Sequence, residues 1–162
     1  MLFRSQRRIP AKVEWYNCRG YRDVIRGIKK MVIRGAPAIG VAAAMGLTLG
    51  ARSIKTSSYA AFMKRFQEIS DEMLLARPTA VNLRWAVERM SGIVKDCKDF
   101  QVNEIKDALR IESEKILDED IKINQAMGKN GLKLVPENAV ILTNCNAGDL
   151  ATGGYGRSES VV

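Results

Sequence analysis

Residues 31–49 read MVIRGAPAIGVAAAMGLTL, and what this stretch becomes decides the fold. Pro37 suits the first turn of a helix, where its missing N–H costs nothing. The spacing predicts a helix from Pro37 to about Ala51. Ile39, Val41, Ala42, Ala43, Ala44, Met45 and Leu47 leave it apolar nearly all round, which predicts a buried central helix. Just before it stand Arg34-Gly35-Ala36-Pro37. The free N–H groups of a helix's first turn, next to an arginine, make an anion site. The same string also reads as a packing corner, with Gly35 for a tight bend and the alanines for close helix contact.

On the N-terminal side, alternation within residues 1–18 predicts one or two short strands, with Pro10 at a turn or edge. Tyr21, Val24, Ile25, Ile28 and Met31 recur at helical spacing and predict an amphipathic helix over 21–31. On the C-terminal side, Ser57-Ser58 can cap a helix from Tyr59 to about Leu75. Arg77-Pro78 ends it, because a residue before proline avoids the helical region. Thr79 is the expected cap of a fourth helix, Ala80 to about Lys95, carrying Val81, Leu83, Trp85, Val87 and Met90. A fifth helix is expected from about Asn103 to Lys129, with Ile105, Leu109, Ile116 and Ile123 on or near its buried stripe. Asn130-Gly131 would close it as a left-handed cap. Ala139-Val140-Ile141-Leu142-Thr143 then reads as a short strand of the kind buried in a parallel sheet. A helix is expected to start at Asp149.

The expected fold is therefore mostly α with a short N-terminal β element. It comprises a helical domain over 1–135 and, over 136–162, the first strand of a truncated α/β doubly wound domain. At 162 residues the chain is long enough for a real core. No apolar run reaches the roughly 20 residues of a membrane span. The N-terminus lacks a signal-peptide core, so a cytoplasmic location is the default.

The chain has three cysteines and no histidine. That argues against structural zinc and excludes histidine acid–base or Ser-His chemistry within the chain; no metal or cofactor is expected. The net charge of +8 suits an anionic partner. The cations are scattered and no nucleic-acid module is legible, so no specific nucleic-acid binding is expected. Cys145 sits where a strand ends and a helix begins, a position that favours its thiolate; from position alone it reads equally as an inert buried thiol. Cys18 and Cys97 read as structural. Arg77-Pro78-Thr79 repeats the arginine–proline–helix logic of the first corner, and Asn82 lies one turn into the helix that follows.

Three segments together, Met31–Gly46, Arg77–Met90 (RPTAVNLRWAVERM) and Ile141–Gly156 (ILTNCNAGDLATGGYG), closely resemble the methylthioribose-1-phosphate isomerase family. The resemblance runs from about residue 5 to 156. Its relatives include ribose-1,5-bisphosphate isomerase and the regulatory subunits of the exchange factor of eukaryotic translation initiation. The resemblance implies an aldose–ketose isomerase of methionine salvage, an amino-acid biosynthesis pathway, that converts methylthioribose 1-phosphate to methylthioribulose 1-phosphate. A phosphate on the anomeric carbon blocks the free aldehyde, so the ring must be opened and hydrogen moved from carbon two to carbon one. By the family's pattern Arg34, the Gly35 and Ala36 amides and Arg77 hold the phosphate, as the planar guanidinium fork suits. Cys145 matches the catalytic cysteine, acting in proton transfer or polarising the reacting centre for hydride transfer. Asn82, Asn146 and Gly148 support the site.

The departures are Asn144, where the family usually has histidine, and Arg157-Ser158-Glu159-Ser160 in place of Thr-Ala-Leu-Gly. The chain then stops short of the domain that supplies the family's catalytic aspartate and main homodimer interface. It reads as a truncated gene product, lacking turnover by itself. The alternative is a non-catalytic module that binds a phosphorylated ligand or a protein partner.

Overall fold

Helix α2, Ala36–Ser53, packs against each of the other four helices: α1 (Tyr21–Lys29), α3 (Tyr59–Leu74), α4 (Val81–Asp96) and α5 (Val102–Gly131). The computed structural model describes residues 1–142, 144 and 148–154. As expected, α2 is buried almost throughout: Ala43, Ala44, Leu47 and Ala51 have no exposed surface. Its glycines set the spacing. A Cβ on Gly40 would lie 3.0 Å from the Asn82 carbonyl oxygen of α4, and one on Gly50 would lie 2.8 Å from Ile69 Cγ2 of α3.

Strands β1 (Leu2–Ser5) and β2 (Glu14–Asn17) form an antiparallel hairpin, with Leu2 opposite Asn17 and Ser5 opposite Glu14. Pro10 lies in the turn region, as expected. The hairpin rests on α1 at Gly27, where Tyr16 and Phe3 fill the space of the missing side chain. Helix α1 starts where the Asp23 carboxylate accepts the Arg19 and Gly20 amides. It ends at Lys29, short of the expected Met31, because Met31 turns left-handed (φ 53°) and is half exposed. The reversal lets the Val32 amide bond back to the Gly27 carbonyl at 2.8 Å and buries Val32 instead.

Ser58 caps α3 as expected, its hydroxyl accepting the Ala61 amide. Thr79 does not cap α4. A backbone bond from the Ala80 amide to the Arg77 carbonyl closes the corner, and Ala80 becomes the cap residue. Leu83, Val87 and Met90 are buried, while Val81 and Trp85 look outward. In α5, Ile105, Leu109 and Ile116 are buried but Ile123 is 56% exposed, at the edge of a cleft that it lines together with Pro37 and Val41 of α2. Gly131 is right-handed (φ −65°), and the helix passes through it into a 3-10 turn at Leu132–Leu134. The expected left-handed stop is absent there; Asn138 carries the positive φ instead.

Residues 139–142 do not form the expected strand. Among the described residues they pair with no second strand, and Val140 and Leu142 stand almost wholly in solvent; a strand exists only through hydrogen bonds to another. Thr143 lies outside the described residues. The helix expected from Asp149 is one 3-10 turn, Asp149–Ala151. Beyond the core, Arg89 of α4 stacks on Trp85 and pairs with Glu112 and Glu119 of α5 at 2.5 Å each. Among the described residues no helix is long and apolar enough to cross a membrane.

The glycine environments predict opposite signs for one substitution. Gly50→Ala drives a methyl into Ile69 and should destabilise by about 1–3 kcal/mol, the range for overpacking. Gly92→Ala on α4 meets nothing within 4 Å and should stabilise by about 0.5–1 kcal/mol from helix propensity. Urea unfolding of the two variants checks both.

Candidate functional site

Gly35 is the N-cap of α2 at φ 103°, a conformation that disfavours any side chain. A Cβ there would also stand 2.5 Å from the Ala151 Cα and 2.6 Å from its carbonyl oxygen. The backbone of the 148–153 segment thus lies directly on the Arg34-Gly35-Ala36 corner. Gly148, itself at φ 85°, turns the chain into that position, and the Ala151 amide bonds back to its carbonyl.

Two side chains hold this seat, and sequence reasoning pointed to neither. Gln6, just past β1, donates from Nε2 to the Arg34 carbonyl at 3.0 Å and to the Leu150 carbonyl at 2.6 Å. Its backbone amide binds the Val32 carbonyl at 2.9 Å. Asp120 of α5 accepts the Gly153 amide through Oδ2 at 2.6 Å, and a Cβ on Gly153 would strike Leu117 at 2.7 Å. Gln6 follows a strand with no pattern around it. Asp120 belongs to a charged face that, read alone, is a solvated helix surface.

The other expected site residues divide as follows. Arg34 is exposed and borders an open basic groove of about 560 Å³ with Arg7, Lys29 and Lys30. Asn82, half-buried in the first turn of α4, lines a different cleft of about 370 Å³ with Pro37, Val41 and Trp85. That cleft also carries Glu119 and Asp120. Hydrogen bonds from Arg89 hold the Glu119 carboxyl below its ordinary range, so it is charged at neutral pH. Arg77 is half-buried at the α3–α4 corner and lines neither of these clefts. The structure therefore brings Arg34 and Gly35 to the 148–153 segment, and Pro37 to Asn82, without bringing Arg77 and Arg34 into one described cleft. Asn144 is exposed; Cys145 and Asn146 lie outside the described residues.

A third cleft, about 290 Å³, opens between the hairpin, α2 and the 149–154 segment, lined by Phe3, Trp15, Ala38, Met45, Leu117 and Leu150 among others. Of the other thiols, Cys18 is 1% exposed, and burial, then the Asp23 charge, push its pKa up to about 11. Burial also raises the Cys97 thiol. In both, burial favours the neutral thiol over the thiolate that reacts. Among the described residues no cluster of acidic and thiol groups could hold a metal ion.

The initiation factor 2 subunit family matches residues 32–153. The chain is 44% identical over 158 residues to a methylthioribose-1-phosphate isomerase of Geobacter sulfurreducens, and 45% identical to one of Caldanaerobacter subterraneus subsp. tengcongensis. Each match takes in 98% of this chain and 46% of the relative, so the chain spans under half the length of these proteins. Among solved structures it is similar to 5-methylthioribose 1-phosphate isomerase from Pyrococcus horikoshii OT3, with a TM-score of 0.93 and 39% identity over 99% of this chain and 45% of that one. It is also similar to the translation initiation factor eIF-2B delta subunit from A. fulgidus, with a TM-score of 0.84 and 35% identity over 96% of this chain and 45% of that one.

Two outcomes test this geometry. Gln6→Ala should speed amide exchange at Ala151 and Gly153 by about tenfold, as a bridging hydrogen-bond donor worth roughly 1–1.5 kcal/mol is lost, with little change in α3 or α4. Cys18 should resist alkylation at pH 8 in the folded protein and react readily once urea unfolds it, as peptide mass mapping would read.

Proposed function

The chain belongs to the initiation factor 2 subunit family, and we propose that it is the N-terminal portion of an aldose–ketose isomerase of methionine salvage acting on methylthioribose 1-phosphate. The observation that carries the reading is the seating of Ala151 on Gly35, tied by Gln6. It joins the Arg34–Ala36 corner to the segment that begins three residues after Cys145, across more than a hundred residues of chain. The similarity to named isomerases over nearly the whole chain supports the same substrate class.

In this reading Arg34 and the first amides of α2 bind the phosphate oxygens, where guanidinium geometry and the positive helix end act together. Arg77 contributes a second fork. Cys145 handles the hydrogen that moves between carbon two and carbon one. Asn144 provides hydrogen bonding but no titratable ring, so it takes no proton itself. Residues from about 136 onward open a doubly wound domain, and that domain supplies the partner group for the cysteine. General acid–base work needs such a group within hydrogen-bond reach.

A second reading has one specific observation behind it, the likeness to the A. fulgidus translation-factor subunit. There the chain would bind a phosphorylated ligand or a protein without chemistry. One experiment separates the readings. The 162-residue chain is titrated calorimetrically with methylthioribose 1-phosphate, and the mixture is examined by NMR for methylthioribulose 1-phosphate. The expected outcome is binding without conversion, weakened about tenfold or more in Arg34→Ala, the size of one lost charge-assisted contact. Conversion at ordinary rates by this chain would overturn the assignment of the cysteine's partner group to the doubly wound domain. Absence of binding would overturn the substrate assignment and favour the second reading.

A further inference from the structure

The groove beside Arg34 is unlike the rest of the basic surface. Arg7 comes from the turn after β1, Lys29 and Lys30 from the end of α1, and Arg34 from the approach to α2. Gln6 and Met31 complete the lining, and no carboxylate takes part. Nearby cations are neutralised: Arg8 and Lys12 by Glu14, and Arg26 by Asp23. Among the described residues the four groove cations pair with no acid. Their mutual repulsion is left standing at one place.

The groove is also built rather than incidental. Met31 is left-handed, a conformation unusual for a side chain of its size, and it turns the chain from Lys30 toward Arg34. The Val32 amide bonds to Gly27, the Gln6 amide to Val32, and the Gln6 side chain to Arg34's carbonyl. Three separate backbone segments are thereby fixed around one opening of about 560 Å³.

We infer that this groove binds a small anion carrying two phosphate groups, one held by Arg34 and the second by Arg7, Lys29 and Lys30. Charge sets the number, since each phosphate group carries roughly −1.5 to −2 at neutral pH and two of them balance four cations. The lining has no aromatic face for a base and no acid for a ribose hydroxyl, so the phosphates themselves are what is recognised. The inference takes from the proposed function only Arg34's role as a phosphate ligand, and adds a subsite that the single phosphate of methylthioribose 1-phosphate does not fill.

The test uses the 162-residue chain, with pyrophosphate and orthophosphate as probes, by isothermal titration calorimetry at low salt. Pyrophosphate should bind about tenfold or more tightly than orthophosphate, the return expected from added charge-assisted contacts. The double variant Arg7→Ala/Lys30→Ala should lose that preference while still binding orthophosphate; Arg34→Ala should weaken both anions. Lys64→Ala/Lys98→Ala removes two exposed charges elsewhere and should change neither. Equal affinity for the two anions, no binding of pyrophosphate, or the same loss in the Lys64/Lys98 control would overturn the subsite. Orthophosphate binding indifferent to Arg34→Ala would instead overturn Arg34's role in the proposed function. All the substituted side chains are exposed, and unfolding midpoints close to that of the parent would confirm folded variants.

Discussion

Four helices can touch α2 because α2 has so little side chain to keep them away. At Gly40 the backbone of α4 comes within 3.0 Å of where a Cβ would stand, and at Gly46 the same position meets Val24 of α1 and Met73 of α3. Dispersion falls steeply with distance, so close approach of whole backbones makes many weak contacts at once. The penalty is local, since glycine weakens a helix in isolation. Here burial offsets it: α2 is buried along most of its length, and the helix is held by its neighbours rather than by its own propensity.

That packing governs where the α2 N-terminus points, and through it the candidate site. Gly35 must be left-handed for the chain to enter the helix at this angle, and the bare α-carbon leaves a seat for Ala151. Gln6 and Asp120 then hold the seated segment from opposite sides, one from the hairpin and one from α5. The site is a junction of four segments distant in sequence. The bonds from Gln6 and Asp120 run between separate elements, so the geometry of the junction is inherited from the elements around it.

Electrostatics divides the surface along similar lines. Where cations meet acids across helices, as Arg89 does with Glu112 and Glu119, they join α4 to α5. The groove at Arg34 has the opposite balance, cations that pair with no acid among the described residues. A net charge of +8 is compatible with either arrangement, and only position distinguishes a solvated face from a concentrated one.

Much of this was legible in residue order. Apolar spacing determined the five helices, the burial of α2 and the N-terminal hairpin, because hydrophobic periodicity is a local property that any core must satisfy. The quoted strings at Arg34, Arg77 and Asn144–Gly148 determined the family resemblance in the same way. Helix ends were less legible. Met31, Thr79 and Gly131 each departed from expectation, since backbone bonds to Gly27 and Arg77 and the continuation past α5 settled them. The strand at 139–142 failed for a related reason: its sequence has strand character, but pairing requires a second strand, which no residue pattern within it can provide. What only the tertiary structure decided was the meeting of Gly35 with Ala151, the bridging by Gln6 and the convergence of Arg7, Lys29 and Lys30 beside Arg34. Those are contacts between segments far apart in the chain, and they depend on how helices pack around α2 rather than on any residue's neighbours in sequence.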